Sequence, residues 1–180
     1  MEKIKKTSLK TLMVFGLLFA LACSKSDKVK LKIGQLHQGG TIFWLDATGK
    51  HGLVADTEDL STAIKWGNYD ETGATDTAIG TGKSNTQKIL ATYGTAGDYA
   101  ANLCKKSKRR GFEDWFLPSK DELNELYKNK ELIGGFANEW YWSSSEHSMD
   151  SAWGQRFSNG HQYIDNFKKE TYRVRAVRAF

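Results

Sequence analysis

Gly39–Ala55 reads GGTIFWLDATGKHGLVA, and this stretch decides the fold class. Thr41–Leu45 is β-branched and aromatic, bounded by Gly39-Gly40 and Asp46, which predicts a strand. Asp46–Gly52 is a turn rich in Gly, Asp and Thr, and Leu53–Ala55 reads as the second strand of a hairpin. The chain closes on YRVRAVRAF, Tyr172–Phe180. Apolar and basic residues alternate there up to Ala176, and the register changes at Ala176-Val177, which predicts a bulge. Strands at both ends with helices between them predict an α+β domain built on an antiparallel sheet.

Asn68–Gly82 lacks periodicity and reads as a long loop, a common home for function. Three helix starts follow: Ser84 with Gln87, Thr95 with Asp98, and Ser119 with Glu122. In each, the pair can satisfy amide donors that a helix start leaves open. Pro118 and the stripe Leu123, Leu126, Tyr127 mark the third most clearly. The second helix should bury Tyr99, Ala100, Leu103 and Cys104 and stop at Gly111. Trp115-Phe116-Leu117, Tyr141–Ser144, the alternating Trp153–Asn159 and Tyr163–Asp165 read as strands, with a turn at Ser158-Asn159-Gly160. Residues 34–180 therefore form a single domain with a few short helices.

The first 22 residues read as an address. Four Lys precede Thr11–Ala22, an apolar run ending in small residues, as in a secretory signal. As a helix the run spans roughly 18 Å, too short for a bilayer core of about 30 Å. The exit, Ala20-Leu21-Ala22-Cys23, resembles the bacterial lipobox, which implies lipid attachment at Cys23. Ala20 and Leu21 depart from its usual residues. By resemblance to lipoprotein sorting signals, Ser24 in place of Asp implies sorting towards the outer membrane. The polar residues after Cys23, through residue 33, read as a flexible tether of roughly 15–20 Å reach.

Residues 1–22 carry a net +3 of the chain's +5, so the remainder is only +2. That balance gives no argument for nucleic acid. One local cluster stands out: Lys105, Lys106, Lys108, Arg109 and Arg110 at a helix end. These residues either complement the helix dipole in solvent or form an anion patch, joined by Arg173, Arg175 and Arg178. Alternate positions on one strand face lie roughly 6–7 Å apart. The competing reading is internal pairing with Glu113, Asp114 or Glu122.

Signals for catalysis or metal are sparse. Ser143-Ser144-Ser145-Glu146-His147 invites a hydrolase reading, but the chain holds no Gly-x-Ser-x-Gly elbow. His37, His51, His147 and His161 lack zinc-ligand spacing, and Asp70, Glu71 and Asp76 lack EF-hand spacing. No cofactor, metal or catalytic residue is expected. Cys104 reads as a buried thiol, since reactivity needs a basic, exposed setting. The aromatics around Trp115 and Trp142 read as core. Trp44, Trp66, Trp140 and Trp153 are the ones that could stack on a sugar if exposed beside a polar groove.

Four stretches together resemble the C-terminal domain family of the Legionella collagen-like adhesin. They are Gly39–Ala55, IGTGKSNTQKIL at Ile79–Leu90, AANLCKKSKRRGFEDWFLPSKDELNELY at Ala100–Tyr127, and YWSSSEHSMDSAWGQRFSNG with the closing YRVRAVRAF. The resemblance implies a C-type-lectin-like fold with N- and C-terminal strands side by side. It also implies an exported or surface-bound protein of a family whose namesake binds sulfated polysaccharides. The Glu-Pro-Asn and Trp-Asn-Asp calcium motifs of sugar-binding C-type lectins are absent. Formylglycine-generating enzymes share that broad fold but use a cysteine pair, and here the mature part inside the domain has only Cys104. The expectation is a lipid-anchored envelope module for binding or adhesion, taking a glycan or anionic polysaccharide. A structural or assembly role with a protein partner is the alternative, and an enzyme a further one.

Overall fold

The computed structural model describes residues 30–180, apart from the side chain of Asp165. The expected signal, Cys23 and most of the tether lie outside the described residues. Where the domain begins, Gln35 N–H donates to Lys32 O (3.2 Å), and Gly34 N–H to Ile42 O (2.8 Å).

Two sheets form. The first holds β1 (Leu36–His37), β2 (Gly40–Leu45), β3 (Gly52–Ala55) and β9 (Val177–Ala179), in the order β1-β2-β3-β9 and antiparallel throughout. The second holds β4 (Ser61–Lys65), β5 (Trp140–Glu146), β6 (Ser151–Arg156), β7 (Gln162–Phe167) and β8 (Thr171–Val174), in the order β4-β8-β5-β6-β7. Its β5–β8 pair is parallel. The N-terminal hairpin and terminal strand share a sheet, as expected, but β9 lies beside β3. β1 already occupies the outer edge of β2, so only β3 offers a free edge.

The bulge predicted at Ala176-Val177 is a larger event. Tyr172–Phe180 is two strands: β8 ends at Val174, the chain crosses at Arg175-Ala176, and β9 joins the other sheet. Asp56 N–H donates to Ala176 O (2.9 Å) at the crossing. Trp115-Phe116-Leu117, expected as a strand, makes one bridge, Phe116 to Val177. The segment runs between two cores and alternates between them. Trp115 and Leu117 join Trp66, Ile89, Cys104, Trp142 and Val174, whereas Phe116 joins Phe43, Leu123, Leu126, Tyr141 and Phe157.

Four helices fill the middle: α1 (Gly82–Tyr93), α2 (Ala100–Lys106), α3 (Lys120–Lys128) and α4 (Lys130–Ile133). Only α3 starts as predicted. Ser119 Oγ accepts from Glu122 N–H (3.3 Å), and Glu122 Oε2 accepts from Ser119 N–H (2.8 Å). Glu122 also reaches back to α1, accepting from Gly80 N–H (2.8 Å) and Gly82 N–H (3.4 Å). That anchorage starts α1 two residues before the expected Ser84, whose hydroxyl instead donates to Thr81 O (2.8 Å). A Cβ at Gly82 would collide with the Glu122 carboxylate. α2 starts late because Asn102 Nδ2 donates to Thr95 O (3.0 Å) and Gly97 O, holding that segment as a loop. It also ends early: the backbone turns extended at Ser107 (φ −66°, ψ 131°), so the helix stops at Lys106, well before Gly111.

Glu122 is buried, and that burial raises its pKa above the ordinary glutamate range despite the amides it accepts from. Its worth lies in the donors it satisfies. Glu122→Ala is expected to destabilise the fold by about 2–3 kcal/mol, since several buried amides lose their acceptor. Glu122→Gln keeps an acceptor and should cost clearly less. Urea denaturation of the two variants checks this; equal losses would refute the anchoring role.

Candidate functional site

The structure separates the eight basic residues singled out by the sequence. Arg173, Arg175 and Arg178 do not form a solvent-facing row. The crossing between sheets turns them apart, and carboxylates take all three. Asp59 Oδ1 accepts from Arg175 Nε (2.8 Å), and its Oδ2 from Arg173 Nη1 (3.1 Å) and the Tyr141 hydroxyl (2.8 Å). Arg175 is fully buried, donates also to Asp56 O, Gly134 O and Gly135 O, and stacks its guanidinium over Phe136 at 4.0 Å. Arg178 forms a forked pair with Asp114 (2.7 and 3.0 Å). This pair holds the Asp114 carboxyl below the usual aspartate range, chiefly through its hydrogen bonds to Arg178.

The helix-end cluster divides in the same way. Arg109 contacts Asp56 (3.3 Å) and Glu58 (3.5 Å), Lys108 pairs with Glu113 (3.1 Å), and Arg110 donates to Thr57 Oγ1 (2.6 Å). Lys105 and Lys106 are exposed and make no ion pair among the described residues. They line different clefts: Lys105 one with Lys83, Gln87 and Trp115, and Lys106 one with Leu60, Ile64 and Asn102. The pairings to Glu113 and Asp114 were foreseeable. The acidic run Asp56–Asp59, which takes three of the arginines, was not.

The tryptophans sort equally plainly. Trp66, Trp115 and Trp142 are buried, and their indole N–H groups donate to Ser143 O, Arg109 O and Ile64 O. Trp153 is half-buried beneath the Lys120 ammonium, 4.7 Å from its ring. Trp140 is half-buried and lines an open groove of about 450 Å³ with Thr62, Glu139, Thr171, Tyr172 and Arg173. These residues come from β4, β8 and the start of β5, where the three strands lie side by side.

Packing fixes the groove's aromatic wall. The Tyr172 ring stacks on Trp140 (5.8 Å, 23°) and leans on buried Trp142 (4.2 Å). Its hydroxyl donates to Glu170 and lies 3.1 Å from Asn166 Oδ1. Burial and that carboxylate push the Tyr172 phenol well above its ordinary pKa, so it stays protonated as a donor. Arg173 brings a guanidinium that is 24% exposed, with one nitrogen on Asp59 and Nε without a partner among the described residues. Glu139 is exposed, and its backbone carbonyl is fixed by Phe157 N–H (2.9 Å). A stacking surface, a guanidinium, a carboxylate and two threonine hydroxyls thus meet on one rigid sheet end.

The other candidates are absorbed by the fold. Ser143, Ser144 and Ser145 are buried; Ser143 Oγ donates to Trp153 O, and Ser145 Oγ to Asp76 O. Cys104 is fully buried; that burial pushes its thiol pKa up, and nearby Asp56 adds to this. Asp76 pairs with Lys88 (2.9 Å). Sequence reasoning missed one buried pair altogether: Lys168 and Glu146 meet at 2.6 Å with almost no exposure. Glu146 also accepts from Thr72 N–H and Gly73 N–H, which pins the long loop.

The model of the Lcl C-terminal domain family matches residues 55–178. That span takes in the second and third stretches whole, the fourth up to Arg178, and of the first only Ala55. No protein with a curated description matches the chain. Among solved structures, a fimbrial protein from Bacteroides ovatus ATCC 8483 is similar in fold, with a TM-score of 0.56 and 15% identity. The likeness covers 77% of this chain and 43% of that one, so the chain spans less than half the length of its structural relative. The matched family span covers more than half of the chain, which belongs to the Lcl C-terminal domain family.

Proposed function

We propose that this protein is a lipid-anchored cell-envelope module for binding or adhesion, which recognises a glycan through the Trp140–Arg173 groove. The groove carries the reading. A half-exposed indole beside a guanidinium, a carboxylate and hydroxyls can stack on the apolar face of a sugar ring and bond its hydroxyls. Family membership and the fimbrial fold relative support a surface role without catalysis. We read the α+β domain as C-type-lectin-like, supported by the union of its terminal strand with the N-terminal hairpin. Cys23 supplies the anchor in the outer membrane in this proposal.

The test is a glycan array, run with the lipidated protein in detergent at low and physiological salt. Trp140→Ala should weaken binding at least about tenfold, the equivalent of one lost stacking contact of roughly 1.4 kcal/mol. If no glycan binds at either salt, the reading fails. Anchoring is tested separately. Cys23→Ser should abolish incorporation of a labelled fatty acid and move the protein from membrane to soluble fractions, because each buried CH₂ of an acyl chain contributes about 0.8 kcal/mol. Retention of the label in that variant would exclude Cys23 as the attachment site.

A second reading rests on Lys105 and Lys106, the exposed remainder of the basic cluster. An anionic polysaccharide held there would be released by salt. Its loss on reversing those two charges, with Trp140→Ala silent, would transfer the site to that helix end. A protein partner in place of a glycan is the outcome indicated if neither surface binds.

A further inference from the structure

We infer that the groove accepts a non-acidic sugar, its ring on Trp140 and its hydroxyls between Glu139 and Arg173. The inference rests on the glycan reading above and names the ligand class for that site.

Charge around the groove decides against an acidic ligand. Arg173 and Arg175 share the single carboxylate of Asp59, leaving one positive charge between them. Against it stand Glu139 in the groove wall and Glu170, which accepts from the Tyr172 hydroxyl. Lys65, on the strand position opposite Thr171, turns to Asn68 Oδ1 (3.2 Å). Among the residues that line the groove there is therefore no surplus of positive charge; exposed Arg156, opposite Trp140 on β6, lies outside that lining. A sulfate or carboxylate brought beside Glu139 would meet a like charge at close range, and like charges across an interface suppress the wrong partner.

The same pair suits neutral hydroxyls. A carboxylate accepts two O–H bonds, and a guanidinium offers fixed N–H donors without accepting. Charge-assisted bonds to such groups are roughly twice as strong as neutral ones. Thr62 and Thr171 can donate or accept. Arg173 bonds within the protein only through Nη1 among the described residues; its Nε is buried, which leaves Nη2 as the spare donor. The aromatic wall is already ordered by Trp142 and Tyr172, so little rotamer freedom is lost on binding. A groove of about 450 Å³ falls in the range of ordinary small-ligand sites.

The experiment is calorimetric titration of the lipidated protein in detergent with two sets of probes. One set is neutral: oligomers of glucose, mannose, galactose, xylose and N-acetylglucosamine. The other is dextran sulfate and heparin. The expected result is binding of at least one neutral oligomer that is nearly insensitive to salt. That binding should fall at least about tenfold, roughly 1.4 kcal/mol, in Glu139→Ala and in Trp140→Ala. Glu139 is exposed and its side chain holds nothing in place among the described residues, so its variants report on the ligand even if Trp140→Ala loosens the sheet end. Glu139→Lys should abolish neutral binding.

Binding confined to the sulfated probes, lost with Trp140 and strengthened by Glu139→Lys, would overturn this inference and leave the glycan groove standing. Neutral binding untouched by either substitution would also overturn it, because the site would lie elsewhere. Failure of both probe sets at every salt would end the inference and the glycan reading together.

Discussion

Replacing Asp59 with alanine is expected to destabilise the fold by about 3–5 kcal/mol, because it leaves the buried Arg175 guanidinium without a counter-charge. Asp59 is the single carboxylate between Arg175, Arg173 and the Tyr141 hydroxyl, and it is nearly buried itself. Arg175 would keep three backbone carbonyls and the Phe136 ring. Those dipoles solvate the cation but do not neutralise it. Tyr141, whose phenol burial holds at about 12, would lose its acceptor in the same step. The junction between the two sheets lies here, so the loss should appear as lower cooperative stability of the whole domain. Arg173→Met should cost much less, since that side chain is partly exposed and solvent screens its pair. Chemical denaturation of both variants is the check. A loss below about 1 kcal/mol for Asp59→Ala would mean that water enters the site and that the pair behaves as a surface one.

Sequence reasoning found the elements that local chemistry specifies. The Ser119–Glu122 box, the Thr41–Ala55 hairpin and the turn at Ser158–Gly160 each depend on neighbours a few residues apart. It failed where a distant group overrides the local signal. Ser84 and Thr95 have good capping chemistry, yet Glu122 and Asn102 set the helix starts from elsewhere. β4 was invisible, because Ser61–Lys65 is short, mostly polar and an edge strand. The alternating arginines of Tyr172–Val177 were read as a solvent-facing row. Nothing local shows that the chain changes sheets among them, or that the acidic run Asp56–Asp59 lies opposite. Trp140 was nameable only as one of four uncertain tryptophans. Its groove needs β4, β8 and β5 to converge, and both pairings that join them are long-range.

Lys168 with Glu146 should behave differently from the Asp59 cluster, and the difference identifies its job. Removing one partner, as in Lys168→Met, leaves a buried carboxylate and is expected to cost about 3–5 kcal/mol. Removing both, as in Lys168→Met with Glu146→Leu, eliminates the buried charges, and a bare ion pair replaced this way is often nearly neutral. Here it should not be neutral. Glu146 also accepts from the amides of Thr72 and Gly73, and Lys168 donates to the carbonyls of Asp70 and Met149. The double variant strands these backbone groups, each worth about 1–3 kcal/mol if left buried and unpaired. The segment around Asp70–Gly73 can escape that cost by swinging out to water. Global stability should then recover partly, while amide exchange in residues 70–74 rises towards that of a free loop. Full recovery with unchanged exchange would mean that the pair contributes only its charges and that the loop is held by Trp66 and Ala74 in the core. Partial recovery with local opening would assign the pair to the loop. The loop follows β4 directly and Lys168 precedes β8 by three residues, so the pair would tie the loop to the β4–β8 edge of the second sheet.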